Sequence, residues 1–392
     1  MKKWVCGMLC FACIALLFGC QTKEEESLSE ETPQEKEQSV ALTFTGDLLF
    51  EQSLYDSWEN YAFDDYFDRL KPYLCGDLVV GNQEVPIAGE DLGVSGVAYS
   101  FNAPDVIASQ LADVGFNVLT MANNHVYDRG YEGVCQTIDN LKENDITPVG
   151  IYADEESAHS ICVIEQNGIK IAFLAYTYDT NSSFEEEYPF VTKTFLNSSG
   201  QFDEAHRQML KDDVTAAQEQ ADVVIVAMHW GTEFTFTLDQ AQQEAAIYLN
   251  DLGVDIVIGN HPHCLQTMER MINHDGKETL IFYSLGNLVS AAAMVDRASV
   301  DFANLYEMGA VVNLNVVMDV ETREVRIEDV KLTPYINHFD VNYEHFQLIP
   351  LKDYTEELAQ AHCQRQYSYN FNKEWLQARI YELFDRKVYL DL

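Results

Sequence analysis

Beyond residue 39 the chain alternates short apolar runs with longer amphipathic stretches. Val40–Thr45 predicts a strand ending at Gly46-Asp47, and Leu78–Val80 one running into Gly81-Asn82. Asn117–Met121 reads as a strand into Ala122-Asn123-Asn124-His125, and Val223–Ala227 as one into Met228-His229-Trp230-Gly231. Asp255–Ile258 leads into Gly259-Asn260-His261-Pro262-His263 in the same way. Apolar residues at helical spacing predict helices over Phe63–Leu74, Pro104–Val114, Glu132–Leu141, Ala205–Gln220 and Gln240–Leu252. Asn167-Gly168, between Ile161–Ile164 and Ile169–Ala175, is a hairpin signal; so is Asp275-Gly276, between Thr267–Met271 and Thr279–Tyr283. Val311–Met318 and Glu324–Leu332 predict two more strands, and Tyr354–Arg365 and Lys373–Phe384 terminal helices. Strands alternating with helices imply an α/β fold with parallel pairing, to which the hairpins add antiparallel strands.

The first 39 residues break this pattern. Two lysines precede the apolar run Trp4–Phe18, and Gly19-Cys20 closes it. A basic start, an apolar stretch too short to span a bilayer and a small-residue boundary predict a secretory signal over residues 1–19. Leu17-Phe18-Gly19-Cys20 resembles a bacterial lipobox. That resemblance implies diacylglycerol on Cys20, cleavage before it and acylation of the new amino terminus, a hold of two or more acyl chains. The other reading is an ordinary signal with an incidental cysteine. Residues 21–38 hold no aromatic residue and no β-branched one except threonine. They cannot build a core and repel themselves, which predicts an acidic tether over 20–39. The expected location is the extracytoplasmic face of the cell membrane, with a globular body held by lipid on Cys20.

Charge narrows the function classes. Lys and Arg number 24 against 64 Asp and Glu, a formal charge of −40. No basic surface of consequence fits that balance, so nucleic acid is excluded as a partner. A polybasic hold on anionic lipid is excluded too. Cations, metals included, are favoured. The apolar fraction of 47% over 392 residues supports a substantial core. Beyond Cys20 the cysteines are Cys75, Cys135, Cys162, Cys264 and Cys363, odd in number and widely scattered. Free thiols are the expectation, with one pair left open.

The candidate chemistry gathers at strand ends. Asp47, Glu84, Asn124, His125, His229, His261 and His263 each lie just past the carboxyl end of a predicted strand. In open α/β sheets that edge binds ligands. In an extended loop His261 and His263, two apart, point the same way, and Pro262 stiffens the spacing. Imidazoles with carboxylates suit Mn, Fe or Zn. Two such ions roughly 3.5–4 Å apart, bridged by a carboxylate, activate water and clamp a phosphoryl group. Each residue also has a plainer reading. Asp47 could close a turn or cap a helix, and Glu84 could be a solvated acid. Asn123-Asn124 could form a turn, and His229 could be a half-buried histidine beside Trp230. His159, His206, His274, His338, His345 and His362 lack the strand-end setting and read as structural or surface residues.

Six motifs occur in order: Phe44-Thr45-Gly46-Asp47; Gly81-Asn82-Gln83-Glu84; Ala122-Asn123-Asn124-His125 with Asp128 and Gly130; His229-Trp230-Gly231-Thr232-Glu233; Gly259-Asn260-His261-Pro262-His263 with Gln266; and Tyr283-Ser284-Leu285-Gly286-Asn287. Together they resemble the CapA family, capsule-synthesis proteins associated with poly-γ-glutamate, which is similar to a branch of the calcineurin-like metallophosphoesterases. The resemblance spans Val40 to Asn287 and reaches weakly to about Pro334. It implies a layered α/β/β/α sandwich with mixed sheets over 40–334, followed by a mostly helical extension over 335–392. It implies two divalent ions held by Asp47, Glu84 as bridge, Asn124, His229, His261 and His263. His125 would protonate a leaving oxygen or steady phosphoryl charge, and Asp128 would orient it. Asn123, Trp230, Glu233 and Asn287 would line the pocket. Two positions depart from the superfamily: its first motif is Asp-x-His where this chain has Leu49, and Glu84 replaces an aspartate. The implied function is a membrane-anchored role in synthesis, export or attachment of a poly-γ-glutamate-type polymer. Synthase and export proteins would be its partners, and an anionic polymer or phosphate-bearing molecule its substrate. A non-catalytic scaffold of a capsule assembly complex and a general exported metallophosphoesterase are the alternatives.

Overall fold

The computed structural model describes residues 36–63, 65–182, 188–292, 300–384 and 386–392. The expected signal segment, Cys20 and most of the expected tether lie outside them. Lys36–Leu392 forms one compact unit. Its strands are β1 (Glu37–Leu48), β2 (Leu78–Gln83), β3 (Val118–Thr120), β4 (Thr147–Val149), β5 (Cys162–Gln166), β6 (Ile169–Thr177), β7 (Val223–His229) and β8 (Ile256–Asn260). They continue as β9 (Met268–Ile272), β10 (Glu278–Phe282), β11 (Asn287–Val289), β12 (Met308–Asp319), β13 (Val325–His338), β14 (Gln347–Pro350) and β15 (Tyr389–Leu390).

Two mixed sheets result. The first runs β14-β13-β12-β1-β2-β3-β4, with β11 beside β1 and β15 beside β13. It is parallel from β1 to β4 and antiparallel from β1 through β12 and β13 to β14. The second runs β5-β6-β7-β8-β10-β9, parallel at its centre and antiparallel at both edges.

Side-chain alternation sets the layers. Val40, Leu42 and Phe44 of β1, with Leu78 and Val80 of β2, meet Ile171, Phe173, Ile225 and Ile258 of the other sheet. The intervening Val79 and Leu119 point outward onto helices Val106–Val114 and Gly130–Glu143. On the second sheet Ala172, Leu174, Val224 and Val226 face helices Glu204–Gln218 and Gln240–Asp251. The architecture is therefore the α/β/β/α sandwich that the resemblance implies.

Several elements differ from expectation. Where the helix Phe63–Leu74 was expected, residues 65–70 form a run of turns that leads into the short 3-10 helix Lys71–Tyr73. Pro72 has no N–H to give a helix. The rings of Phe63 and Phe67 instead pack 5.3 Å apart in an aromatic cluster with Trp58 and Tyr66. The helix expected over Tyr354–Arg365 stops at Ala361, because His362 turns to extended backbone. Its imidazole accepts from the Gln364 N–H at 2.9 Å and meets the Asn337 carbonyl at 2.8 Å. Helices Gln52–Ser57 and Val300–Tyr306 were not expected. The expected boundary after residue 334 falls inside β13. Ile349, Leu351, Tyr354, Leu376, Ile380 and Phe384 from the last segment join the core shared by the two sheets. Cys75, Cys135, Cys162, Cys264 and Cys363 are free thiols, with Cys264 and Cys363 buried and Cys75 exposed. Among the described residues no helix is long and apolar enough to cross a membrane.

Candidate metal centre

The carboxyl ends of the parallel strands of both sheets meet along one edge. β1 reaches it through Gly46, whose absent side chain lets the chain pass against the Gly286 carbonyl. The Asp47 N–H then donates to that carbonyl at 2.9 Å. Asp47 and Asn82 lie side by side where β1 pairs with β2. Glu84 follows β2, Asn124 and His125 follow β3, His229 ends β7, and His261 and His263 follow β8. The loop after β8 is not extended. His261 and His263 both hold left-handed backbone, at φ 99° and 56°. Such conformations cost non-glycine residues on the order of 1–3 kcal/mol each and persist where the surroundings enforce them. The two rings still face the same cluster, with centroids 6.0 Å apart.

The six expected ligands converge. Donor atoms of Glu84, His229 and His261 lie within 4.8 Å of one another, and so do those of Asp47, Glu84 and His263. Glu84 is common to both sets. Its Oε1 stands 3.7 Å from His229 Nε2 and 3.7 Å from His263 Nε2. Asn124 Oδ1 is 2.8 Å from His229 Nε2. Asn82, which sequence reasoning passed over, ties the sets together. Its amide donates to Asp47 Oδ1 at 2.7 Å and lies 3.4 Å from His229 Nδ1. Asn287 Oδ1 meets His263 Nδ1 at 2.9 Å, which leaves Nε2 facing Glu84. The His261 N–H donates to Asp47 Oδ2 at 3.2 Å.

The cluster is buried and electrically unbalanced. Burial pushes the Asp47 carboxyl up to about 6, against the pull of His263, Asn82 and the His261 N–H. Burial, then Asp47 and Glu233 beside it, hold Glu84 well above the usual carboxylate range. Burial and neighbouring imidazoles hold His229 and His261 well below the usual histidine value, which is the neutral form that binds metals. Both Glu84 oxygens, Asn124 Nδ2 and His261 Nδ1 are buried without a hydrogen-bond partner. Orphaned polar atoms of this kind are costly in a core. Cations ligated by carboxylate and imidazole would satisfy the Glu84 oxygens and the His261 nitrogen, so the donor set fits Mn, Fe or Zn.

His125 stands beside this set. Its Nδ1 is 2.9 Å from Asp128 Oδ2, which also accepts from the Phe101 N–H at 2.9 Å. Asp128 is thus placed to orient the imidazole. The Asn181 amide lies 3.3 Å from the His125 ring, and Phe101 packs edge-on to it at 4.7 Å. A cleft of about 450 Å³ opens here, lined by Leu49, Glu51, Tyr99, His125, Asn181, Glu233, Phe234, His263 and Tyr306 among others. Among the described residues no lysine or arginine lines it.

Of the four expected lining residues, only Glu233 lines the cleft. Trp230 is fully buried behind the second sheet, where it stacks on Tyr283 at 5.7 Å and donates from Nε1 to the Tyr283 carbonyl at 2.9 Å. It follows His229 by one residue, so it takes the opposite face. Asn123 is buried too, donating to the Gln83 carbonyl and accepting from the His125 N–H. Asn287 acts from beneath, on His263. Besides Asn82, sequence reasoning missed Tyr178, whose ring lies 4.5 Å from His261, and Asn181, Tyr99, Phe101 and Tyr306. Asn82 had a signal, since it sits two residues before Glu84 and shares its face. The others come from loops and a helix that no periodicity marks as near the site.

The class defined here is a two-sheet α/β/β/α sandwich with a buried histidine–carboxylate cluster, able to hold a metal, on its strand-end edge. The chain belongs to the family described as bacterial capsule synthesis protein PGA_cap, whose profile matches residues 41–292. It is 28% identical to the capsule biosynthesis protein CapA of Bacillus anthracis, over 73% of this chain and 68% of that one. It is 29% identical to the PGA biosynthesis protein CapA of Bacillus subtilis, over 66% of each chain. Among solved structures, a phosphatase from Mycoplasma pneumoniae aligns at a TM-score of 0.45 and 15% identity, covering 76% of this chain and 94% of that one.

Proposed function

We propose that this protein serves the synthesis, export or attachment of a poly-γ-glutamate-type polymer from the outer face of the membrane, through a two-ion hydrolytic centre of phosphoesterase type. The observation that carries the reading is the Glu84 carboxylate, buried, unpartnered and common to two donor sets. Asp47, Glu84 and His263 would hold one ion, and Glu84, Asn124, His229 and His261 the other. Bound ions would supply an activated water and offset the charge of a phosphate-bearing or anionic substrate. The chain's own groups would do the rest. Asp128 accepts from His125 Nδ1 and leaves Nε2 to hand a proton to a leaving oxygen. The Asn181 amide lies 3.3 Å from both ring nitrogens and would help hold the ring. Lipid on Cys20 and partners among synthase and export proteins complete the proposal, resting on the lipobox-like Leu17–Cys20 and on the family.

The test is metal analysis of the full chain with a capsule assay in cells. Bound Mn, Fe or Zn in the wild type, lost together with polymer in Asp47→Ala and His261→Ala variants that still fold, is expected. Metal-free wild type with unchanged polymer in both variants would overturn the proposal. Cys20→Ala should move the protein out of the membrane fraction. A scaffold role is the second reading, favoured by Leu49 on the cleft wall where the superfamily has an imidazole. Polymer output that survives His125→Ala but not Asp47→Ala would support it.

A further inference from the structure

The strand-to-helix loop that follows His229 reaches back over the cluster. Gly231 and Phe234 take left-handed backbone, at φ 87° and 64°. The Phe234 N–H donates to the Pro262 carbonyl at 3.1 Å, which ties the loop to the turn carrying His261 and His263. The Phe234 ring lies 6.0 Å from that of His263. Glu233 is therefore held over the two imidazoles by its neighbours on the chain. Its carboxylate and the donor atoms of His261 and His263 lie within 4.8 Å of one another. On the β1 side the residue nearest Asp47 on the cleft wall is apolar. Leu49, two residues past Asp47, shares the cleft with Glu233 and His263 and has no donor to offer.

We propose that Glu233 is a metal ligand of this centre, its carboxylate supplying from the β7 loop the donor that Leu49 cannot supply from β1. The assignment rests on the two-ion reading above and adds a third carboxylate to it. With Asp47, Glu84 and His263 alone, one ion has three protein donors. Glu233 shares its donor set with His261, given to one ion, and His263, given to the other, so it would add a donor between the two positions, from a loop that also forms the cleft wall. A carboxylate placed this way holds the ion on the side from which substrate enters.

The test uses the full chain and Mn²⁺, with stoichiometry and affinity from equilibrium dialysis and the spin coupling of the ion pair from electron paramagnetic resonance. Glu233→Gln keeps the shape of a half-exposed side chain, and its melting temperature in EDTA checks the fold. Wild type is expected to bind two Mn²⁺. Glu233→Gln is expected to bind one as before and the other at least about 10-fold more weakly, with the coupled signal lost at limiting Mn²⁺. If glutamine perturbs the fold, Glu233→Ala repeats the measurement. Two ions bound by the variant within about twofold of wild type, coupling intact, would overturn the assignment while leaving the centre standing; a Glu233 that serves only to contact substrate gives that result. Wild type that binds no Mn²⁺ would overturn the centre itself and the assignment with it.

Discussion

Glu84→Gln separates the cost of the cluster from its use. In metal-free protein both Glu84 oxygens are buried with no hydrogen-bond partner, and Asp47 and Glu233 lie near enough to raise its carboxyl. A buried polar group left unpaired costs about 1–3 kcal/mol, and a charged one more. Because its folded form keeps the proton that the unfolded form loses above about pH 4.5, Glu84 weakens the metal-free fold by up to about 1.4 kcal/mol per pH unit above that value, and glutamine, which does not ionise, should recover about 1–3 kcal/mol near neutral pH. With roughly 2.1 cal/mol/K of unfolding entropy per residue, the Lys36–Leu392 unit shifts by about 1.3 °C per kcal/mol. The variant should thus melt about 1–4 °C above wild type in EDTA. Mn²⁺ should reverse the order. A ligand at 1,000 times its dissociation constant adds about 4.1 kcal/mol per site. Wild type then gains about 5 °C per ion. The variant, having lost the donor common to both sets, gains much less. Differential scanning fluorimetry in EDTA and in Mn²⁺ reads both arms. A variant that melts below wild type in EDTA, or gains as much from Mn²⁺, would refute the reasoning.

Three further changes probe other residues. Asp128→Asn should lower turnover of a simple phosphodiester by about 10–100-fold with Mn²⁺ content unchanged; unaltered turnover would remove Asp128 from the positioning of His125. Trp230→Phe deletes the bond from Nε1 to the buried Tyr283 carbonyl and should cost about 1–3 kcal/mol in urea unfolding. Mn²⁺ affinity should stay within about twofold, and a large loss would mean that the residue reaches the site. Glu307 is another buried carboxyl, with both oxygens lacking a hydrogen-bond partner, and burial and then Glu51 hold it well above its ordinary 4.5. Its folded form keeps the proton longer than the unfolded form does. The stability it contributes is present below about pH 4.5 and is lost as pH rises toward the folded value, by up to about 1.4 kcal/mol per pH unit. Glu307→Gln should flatten that slope in urea unfolding between pH 5 and 8, and parallel curves would refute the account.

The positions of Asp47, Glu84, Asn124, His229, His261 and His263 were legible because hydrophobic strands run straight into them, and a parallel sheet collects strand ends on one edge. What the strand pattern does not carry is direction beyond the first loop residue. Parity alone turns Trp230 away from the cleft, since His229 faces it. Only three residues further on, Glu233 returns to the cluster. It does so through the left-handed Gly231, a backbone choice that no hydrophobic period records. The helix Val300–Tyr306 was invisible for another reason: it is only seven residues long. Yet Tyr306 lines the cleft and donates to Glu51. Phe63–Leu74 failed the other way. Its aromatic spacing fits a helix, but Pro72 and the demands of ring packing favour turns.

The charge of the body and the chemistry of the cleft bear on each other. A chain at −40 whose cleft presents Glu51 and Glu233 and, among the described residues, neither lysine nor arginine, offers an anionic polymer no fixed positive charge. Salt screens exposed charge over about 8 Å, which softens the approach but leaves repulsion inside the cleft. On the proposed reading, positive charge at the cluster would come from ions. Each ion would then do two things: satisfy the orphaned Glu84 and His261 atoms below it, and give an anion its reason to enter from above. Loading and substrate binding would be linked, each tightening the other by the same factor. Leu49 offers no donor, and a Glu233 ligand, as proposed, would lower the net charge of the loaded centre by one, which would favour a substrate carrying few negative charges at the point of contact over a dense one.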